Sequence, residues 1–417
     1  MNRISRRDFL KGSAAGVASL ALSGIVGGSL ASADEIEYGE GTITIWVADE
    51  VTSFTLEKAE EFLASNEDYS GFTVSVESVG EGDAASNMIT DVEAGADIYG
   101  FAQDQMARLI SAGALMEVTN DYATFVAENN DSGAVSAAMS GESTYAFPLT
   151  SDNGYFLYYD STVISDPSTL ERILADCEAA GKGFYMEINS GWYQPAFFFG
   201  TGCTATYESD ETGAFVGSDI TYASDEGVVA FKKIVELSQS SAFYNGSSVG
   251  NATNAAAVVS GTWDSSAAQE LFGDGYACAK LPTFTVDDVE YQMSGFGGFK
   301  LLGVKPQTEV GKAVICMELA KYLTSAEVQL ARYEAVGWGP SNLEAQADEA
   351  VQADEALSAL AEQLAFTIPQ GQYPDDFWTL STSFGDDIIA GTYNDSSDEE
   401  LLAALTTFQE TLQSYAG

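Results

Sequence analysis

Between Gly41 and Gly80 the chain reads GTITIWVADEVTSFTLEKAEEFLASNEDYSGFTVSVESVG, and the period of its apolar residues changes twice. Ile43, Ile45 and Val47 alternate, as on one face of a buried strand. Phe54, Leu56, Ala59, Phe62 and Leu63 then fall near helical spacing, and Gly71 ends that run. FTVSVESVG alternates again. A helix over Asn87–Ala94 leads into GADIYGFAQDQMARLISAGALMEV, which reads as a strand, a turn and a helix. Strands alternating with helices imply a largely parallel α/β sheet.

That pattern does not run the length of the chain. With 417 residues, two or three domains are expected from size alone. The pattern changes at YAFPLTSDNGYFLYYD, 145–160, where a Pro and a new apolar run mark a crossing into a second lobe. There follow a strand at 184–188, the aromatic stretch SGWYQPAFFFGTG (190–202), a helix near 227–238 and the strand AAAVVSGTWD. YQMSGFGGFKLLGV, 291–304, is Gly-rich and reads as a return crossing. The helix VGKAVICMELAKYL comes next, with Val310, Val314, Met317 and Ala320 on one stripe. The helix after it begins at Thr324-Ser325-Ala326-Glu327, which has capping-box spacing. Glu344–Glu355 reads as a solvated helical surface. NDSSDEELLAALTTFQETL starts a helix whose first-turn acids suit its dipole; no Gly stands where a calcium loop requires one. No internal repeat is present.

The first 33 residues are a targeting segment. Arg6 and Arg7, followed by Asp8, Phe9, Leu10 and Lys11, resemble the twin-arginine export motif. An uncharged run from Gly12 ends in Ala31-Ser32-Ala33, an A-x-A cleavage site. The run is mostly Gly, Ala and Ser, too weakly apolar for a spanning helix, so cleavage and export of a soluble protein to the periplasm or cell surface are expected. The leader contains no Cys for lipid attachment. It takes four of the 16 bases and one of the 63 acids, leaving a net charge of −50. Such a surface repels nucleic acid and anionic lipid. Cys177, Cys203, Cys278 and Cys316 would enter an oxidising compartment, so one or two disulfides are open to the chain, with no pairing assigned. Cys316 lies in an apolar helical pattern, which favours a buried thiol.

The chain has no His. Ser-His-Asp and Cys-His hydrolysis, H-E-x-x-H metalloprotease sites and His-ligated metals are therefore excluded. There is no G-x-x-x-x-G-K-[ST] phosphate loop, and no cofactor or metal is implied. Two-carboxylate chemistry needs no His, but no pair stands out among 63 acids. The expectation is a binding protein, not an enzyme.

Six segments, in order, carry a resemblance: ITIWVADE, GADIYGFAQDQMARLISAGALMEVT, YAFPLTSDNGYFLYYDSTVI, AAAVVSGTWDSSA, KLPTF and IPQGQYPDDFWTL. From about residue 41 to the C-terminus the chain resembles the extracellular solute-binding proteins of ABC importers, close in pattern to the maltose/maltodextrin branch. The resemblance implies a two-lobe, type II periplasmic-binding-protein-like α/β fold. Each lobe would hold a mixed, mostly parallel sheet flanked by helices, with the ligand cleft between lobes. Each lobe would be discontinuous: 40–150 with about 299–345, and 151–298 with about 346–417.

The resemblance also carries over binding positions. Asp49 and Glu50 fall where the family places an acid that accepts from sugar hydroxyls. Asp104 in FAQDQ matches a cleft acid, and Phe101 stands where the maltose branch has a Trp. Asp152 matches a hinge-side acid. Trp192 and Tyr193 fall at an aromatic contact, Tyr193 being the direct match, while Trp263 and Trp378 match two indole platforms. Trp338, in GWGPSN, is a further candidate. Aromatic faces cover the C–H face of a sugar, and carboxylates accept its hydroxyl protons. Phe197, Phe198 and Phe199 are expected to pack inside the second lobe.

Basic residues that the maltose branch places in its cleft are absent: Val51 follows Glu50, Gln105 follows Asp104, and SVGEGDA has none. The expected ligand is a neutral oligosaccharide, malto-oligosaccharide first, delivered by a monomer to the transmembrane subunits of an ABC permease. A cationic solute such as a polyamine, a two-carboxylate glycoside hydrolase and a structural surface glycoprotein remain alternatives.

Overall fold

The computed structural model describes residues 36–210 and 213–416; the expected leader, 1–33, lies outside them. Strand Gly41–Val47 has Phe72–Ser78 on one side and Ile98–Ala102 on the other, both parallel to it. Ile43 and Ile45 are wholly buried and Val47 nearly so, which is why their alternation is legible. The intervening helix, Thr52–Ala64, buries Thr55, Ala59 and Phe62. The next helix runs Ala84–Thr90, starting three residues before its expected position. Its start is set from a distance, by the Gln105 side chain accepting from the Ala85 N–H at 2.9 Å, a cap that local spacing does not disclose.

Two strands carry the chain between lobes. Phe147–Gly154 and Phe296–Val304 pair antiparallel, with Gly297 opposite Gly154 and Leu301 opposite Pro148. Phe296–Val304 also pairs antiparallel with Ile98–Ala102, and Ile368–Pro369 joins its other end. The result is a mixed six-stranded sheet. Past the first crossing, Phe156–Asp160 enters a second sheet of five strands, ordered Phe243–Tyr244, Gly183–Tyr185, Ala255–Ser260, Phe156–Asp160, Tyr276–Ala279. Gly183–Tyr185 is parallel to both neighbours and Phe156–Asp160 antiparallel to both of its own.

The apolar interior follows this division. One group of buried residues runs from Ile43 to Leu149 and resumes at Leu301, ending at Trp338. A second runs from Tyr155 to Phe296 and resumes at Tyr373. A smaller group joins Phe156, Tyr158 and Val258 to Leu360. Phe197, Phe198 and Phe199 lie on helix Pro195–Gly200 and are buried in the second group, as expected. Pro195 suits the start of that helix because its missing N–H would have no partner there.

Helix Val310–Leu323 matches its predicted span. The following helix is Ala326–Val336, and its cap is Ser325, not Thr324: Ser325 Oγ accepts from Val328 N–H at 3.4 Å. Thr324 is taken up in the preceding helix, its hydroxyl donating to Ala320 O at 2.9 Å. The acidic stretch forms helices Leu343–Gln346, Glu349–Gln352 and Glu355–Leu364, capped in turn by Asn342, Asp348 and Asp354. The last helix, Asp398–Gln413, carries a full capping box between Ser397 and Glu400. All four cysteines are free thiols, with Cys177, Cys203 and Cys316 buried; none of the open disulfides is formed. Among the described residues no helix is long and apolar enough to cross a membrane.

Candidate functional site

The turn after Gly41–Val47 in the first sheet and the turn after Ala255–Ser260 in the second come within electrostatic reach of one another, through Glu50 and Asp264, along a seam between the two interiors. Asp49 and Glu50 form a single turn just after the first strand, and both are exposed. Desolvation raises the pKa of Glu50; nearby Lys300 opposes this, while Glu81 and Asp264 add to it. Asp264 belongs to the second lobe, so carboxylates from both sides share this part of the seam. Asp264 is itself raised by burial, against the hydrogen bond from Ser260 Oγ at 2.6 Å.

Asp104 sits in the turn that follows Ile98–Ala102 and is 2% exposed. It accepts from Gln370 Nε2 at 2.8 Å, and Asn153 Nδ2 donates to Gln370 Oε1 at 3.1 Å. Burial pushes its pKa up to about 7, with Arg108 and the Trp378 indole N–H favouring the charged form. Arg108 Nη1 in turn pairs across the seam with Asp375 at 2.7 Å. Asp375 opens the helix Asp375–Ile389 that carries Trp378.

Trp378 is half-buried in a group of rings. Its centroid lies 5.3 Å from Tyr373, 4.9 Å from Phe377 and 6.5 Å from Trp192. Trp192, also half-buried, stacks on Phe296 at 5.2 Å and 19°. Tyr193 is 5% exposed and packs against Tyr155 at 4.9 Å. Of the adjacent pair, Trp192 is thus the ring with free surface and Tyr193 the more deeply seated.

The second aromatic group is built around a cation. Trp263, half-buried, and Trp338, 1% exposed, both present a ring face to Lys300, whose Nζ is 5.3 Å and 3.6 Å from their ring centroids. Glu81 Oε2 is 3.7 Å from the same Nζ. Asp152 sets this geometry without facing outward. It is 2% exposed, and its Oδ2 accepts from Thr262 Oγ1 and from Gly339 N–H, each at 2.5 Å. Those donors are the chain neighbours of Trp263 and Trp338, so one oxygen fixes both indoles.

Phe101 departs from its expected place. It is fully buried in the first lobe, 5.8 Å from Tyr99, and presents no ring to the seam. Its strand is covered on both faces, as parallel strands within a layered α/β sheet are. Trp338 likewise is a packed turn residue whose ring is used by Lys300.

Lys300 was not singled out from sequence, which shows no base at position 51, at position 105 or in 78–84, where the maltose branch has its cleft bases. It is the lone charge in FGGFKLLGV. The pairing of its strand slips between Gly298 and Lys300 and again before Leu301, and such bulges re-aim a side chain. Gly298 permits this path: a Cβ there would lie 2.7 Å from Gln370 Oε1. Glu81 and Gln370 were missed because their partners are remote in sequence.

Two α/β lobes joined by crossing strands, with rings and carboxylates gathered between them, define a two-lobe binding protein with its ligand cleft at the seam. The chain belongs to the bacterial extracellular solute-binding proteins, whose family pattern matches residues 59–359. A twin-arginine translocation signal sequence matches residues 3–23, and the protein is exported by that route to the periplasm or cell surface. The galactooligosaccharide-binding protein of Bacillus subtilis (strain 168) is 23% identical over 311 residues, 69% of this chain and 71% of that one. A solved structure described as being with acarbose has a TM-score of 0.78 at 25% identity, covering 90% of this chain and 99% of its own. The maltodextrin-binding protein MalE1 from L. casei BL23, solved without ligand, has a TM-score of 0.72 at 20% identity, covering 90% and 99%. The family and these named relatives are binding proteins, not enzymes.

Proposed function

We propose that this protein is the binding component of an ABC importer, that it captures a neutral oligosaccharide, and that malto-oligosaccharide is its first-choice ligand. It acts as a monomer and hands its cargo to the permease subunits. The lobes are 40–150 with about 299–345, and 151–298 with about 346–417, a division the two separate interiors support. The observation that carries the reading is that half-buried Trp192 and Trp378 lie 6.5 Å apart, while half-buried Trp263 is the chain neighbour of Asp264, whose charge reaches both Glu50 and Tyr193. Rings remove the apolar sugar face from water, and the carboxylates accept hydroxyl hydrogen bonds. The names of the galactooligosaccharide-binding and maltodextrin-binding relatives point the same way. Ligand touching both lobes at once stabilises the closed arrangement by differential affinity.

Tryptophan fluorescence across a panel of maltotriose, a galacto-oligosaccharide and spermidine tests this. A saturable change with a neutral sugar is the expected result. A response to spermidine alone would establish the cationic-solute reading, and new reducing ends after incubation with starch fragments would establish hydrolysis.

A further inference from the structure

Two indole faces and a carboxylate around one ammonium form the receptor that ammonium ligands require. In this cleft the ammonium belongs to the protein. Lys300 Nζ lies 3.6 Å from the Trp338 centroid, 5.3 Å from Trp263 and 3.7 Å from Glu81 Oε2. Lys300 is 6% exposed and Glu81 7% exposed. The Trp338 indole N–H has no hydrogen-bond partner, so this ring engages its surroundings through its face. Glu50 lies within electrostatic reach of Lys300 and adds further negative charge, and Asp264 from the second lobe acts in turn on Glu50. Without Lys300 the same walls would favour a cationic solute. A double irregularity in the crossing strand delivers the lysine to them.

We propose that Lys300 is a specificity-determining residue. Its ammonium fills the acidic, aromatic subsite, turns away aminated and cationic solutes by like-charge repulsion, and offers N–H donors to the hydroxyls of neutral ligands. This deepens the proposed function and rests on it.

The test compares the parent with Lys300→Met, which keeps the apolar stem over the indoles and loses the charge. Both are titrated calorimetrically with maltotriose and with a trimer of glucosamine, and both are melted to check folding. Lys300→Met is expected to bind the glucosamine trimer at least ten-fold more tightly than the parent, with maltotriose weakened several-fold. Lys300→Arg, retaining the charge, is expected to exclude the amine as the parent does. A folded Lys300→Met with parental amine affinity overturns the proposal. If Lys300→Met melts far below the parent, Lys300→Gln, which loses the charge but keeps an N–H donor for Glu81, is read in the same way. Failure of the sugar reading is separate: it appears as the parent binding no neutral oligosaccharide, whatever the variant does with the amine.

Discussion

Thr262 Oγ1 donates to Asp152 Oδ2 at 2.5 Å, and the same oxygen accepts the Gly339 N–H at 2.5 Å. One carboxylate on the first crossing strand thereby holds the turns that carry Trp263 and Trp338. Replacing it by Ala leaves two buried donors unsatisfied, each worth about 1–3 kcal/mol. Asp152→Ala is expected to destabilise the protein by about 3 kcal/mol in chemical denaturation. Asp152→Asn, which keeps an acceptor oxygen, should lose less than half of that.

Trp378 has free surface at the seam, and its neighbours Tyr373 and Phe377 hold it from behind. Removing the ring costs a ligand face worth about 2 kcal/mol, or about thirty-fold in Kd. Trp378→Ala is expected to lose that factor for the bound oligosaccharide, measured by calorimetry at a temperature where the variant is folded, and to melt lower than the parent because its ring contacts are lost. Unchanged affinity would remove this residue from the site.

Asp104 has a folded pKa raised to about 7, first by burial. The folded state therefore holds a proton that the unfolded chain releases between about pH 4 and 7. The resulting stabilisation is full below about pH 4 and is lost as pH rises through 7. Denaturation of the parent should show stability falling across this window. Asp104→Asn should flatten the slope by an amount on the order of a few kcal/mol. Glu50 and Asp264, also raised, add slope of the same sign. The parent-minus-variant difference isolates Asp104.

Phe101 is part of the first interior. Phe101→Ala is expected to cost about 3–5 kcal/mol of stability, as deleting a buried ring does. At temperatures where the variant is folded, ligand affinity should change little. A folded variant with normal stability and weakened binding would instead make Phe101 a ligand contact.

Much of this architecture was legible because its causes are local. Ile43, Ile45 and Val47 alternate because only one face of their strand meets this interior, and Val314, Met317 and Ala320 repeat at helical spacing because that stripe of Val310–Leu323 is buried, Val310 itself being exposed. The crossings showed through their Pro and Gly content. What failed depended on partners far along the chain. Gln105 sets the start of Ala84–Thr90 from twenty residues away. Thr324 and Ser325 both suit a cap, and the choice is made by Thr324 bonding back into the preceding helix. In the site, the type of residue was readable from sequence and its direction was not. Trp378 and Trp338 look alike in sequence, yet one is half-exposed and the other packed over Lys300. Lys300 escaped notice because a register slip aims it, and a slip leaves no compositional mark beyond two glycines.

The strand Phe296–Val304 lies between Ile98–Ala102 and Phe147–Gly154 in the first sheet, so that sheet has a gap until about three-quarters of the polypeptide has been made. Pairings such as Ile98 with Val304 span about half of the chain, and such long closures are slow and leave strand edges uncovered while they wait. The intervening lobe has its own interior and is able to gather first. Substitutions that slow that step are therefore expected to reduce the yield of exported protein even where the finished molecule is no less stable.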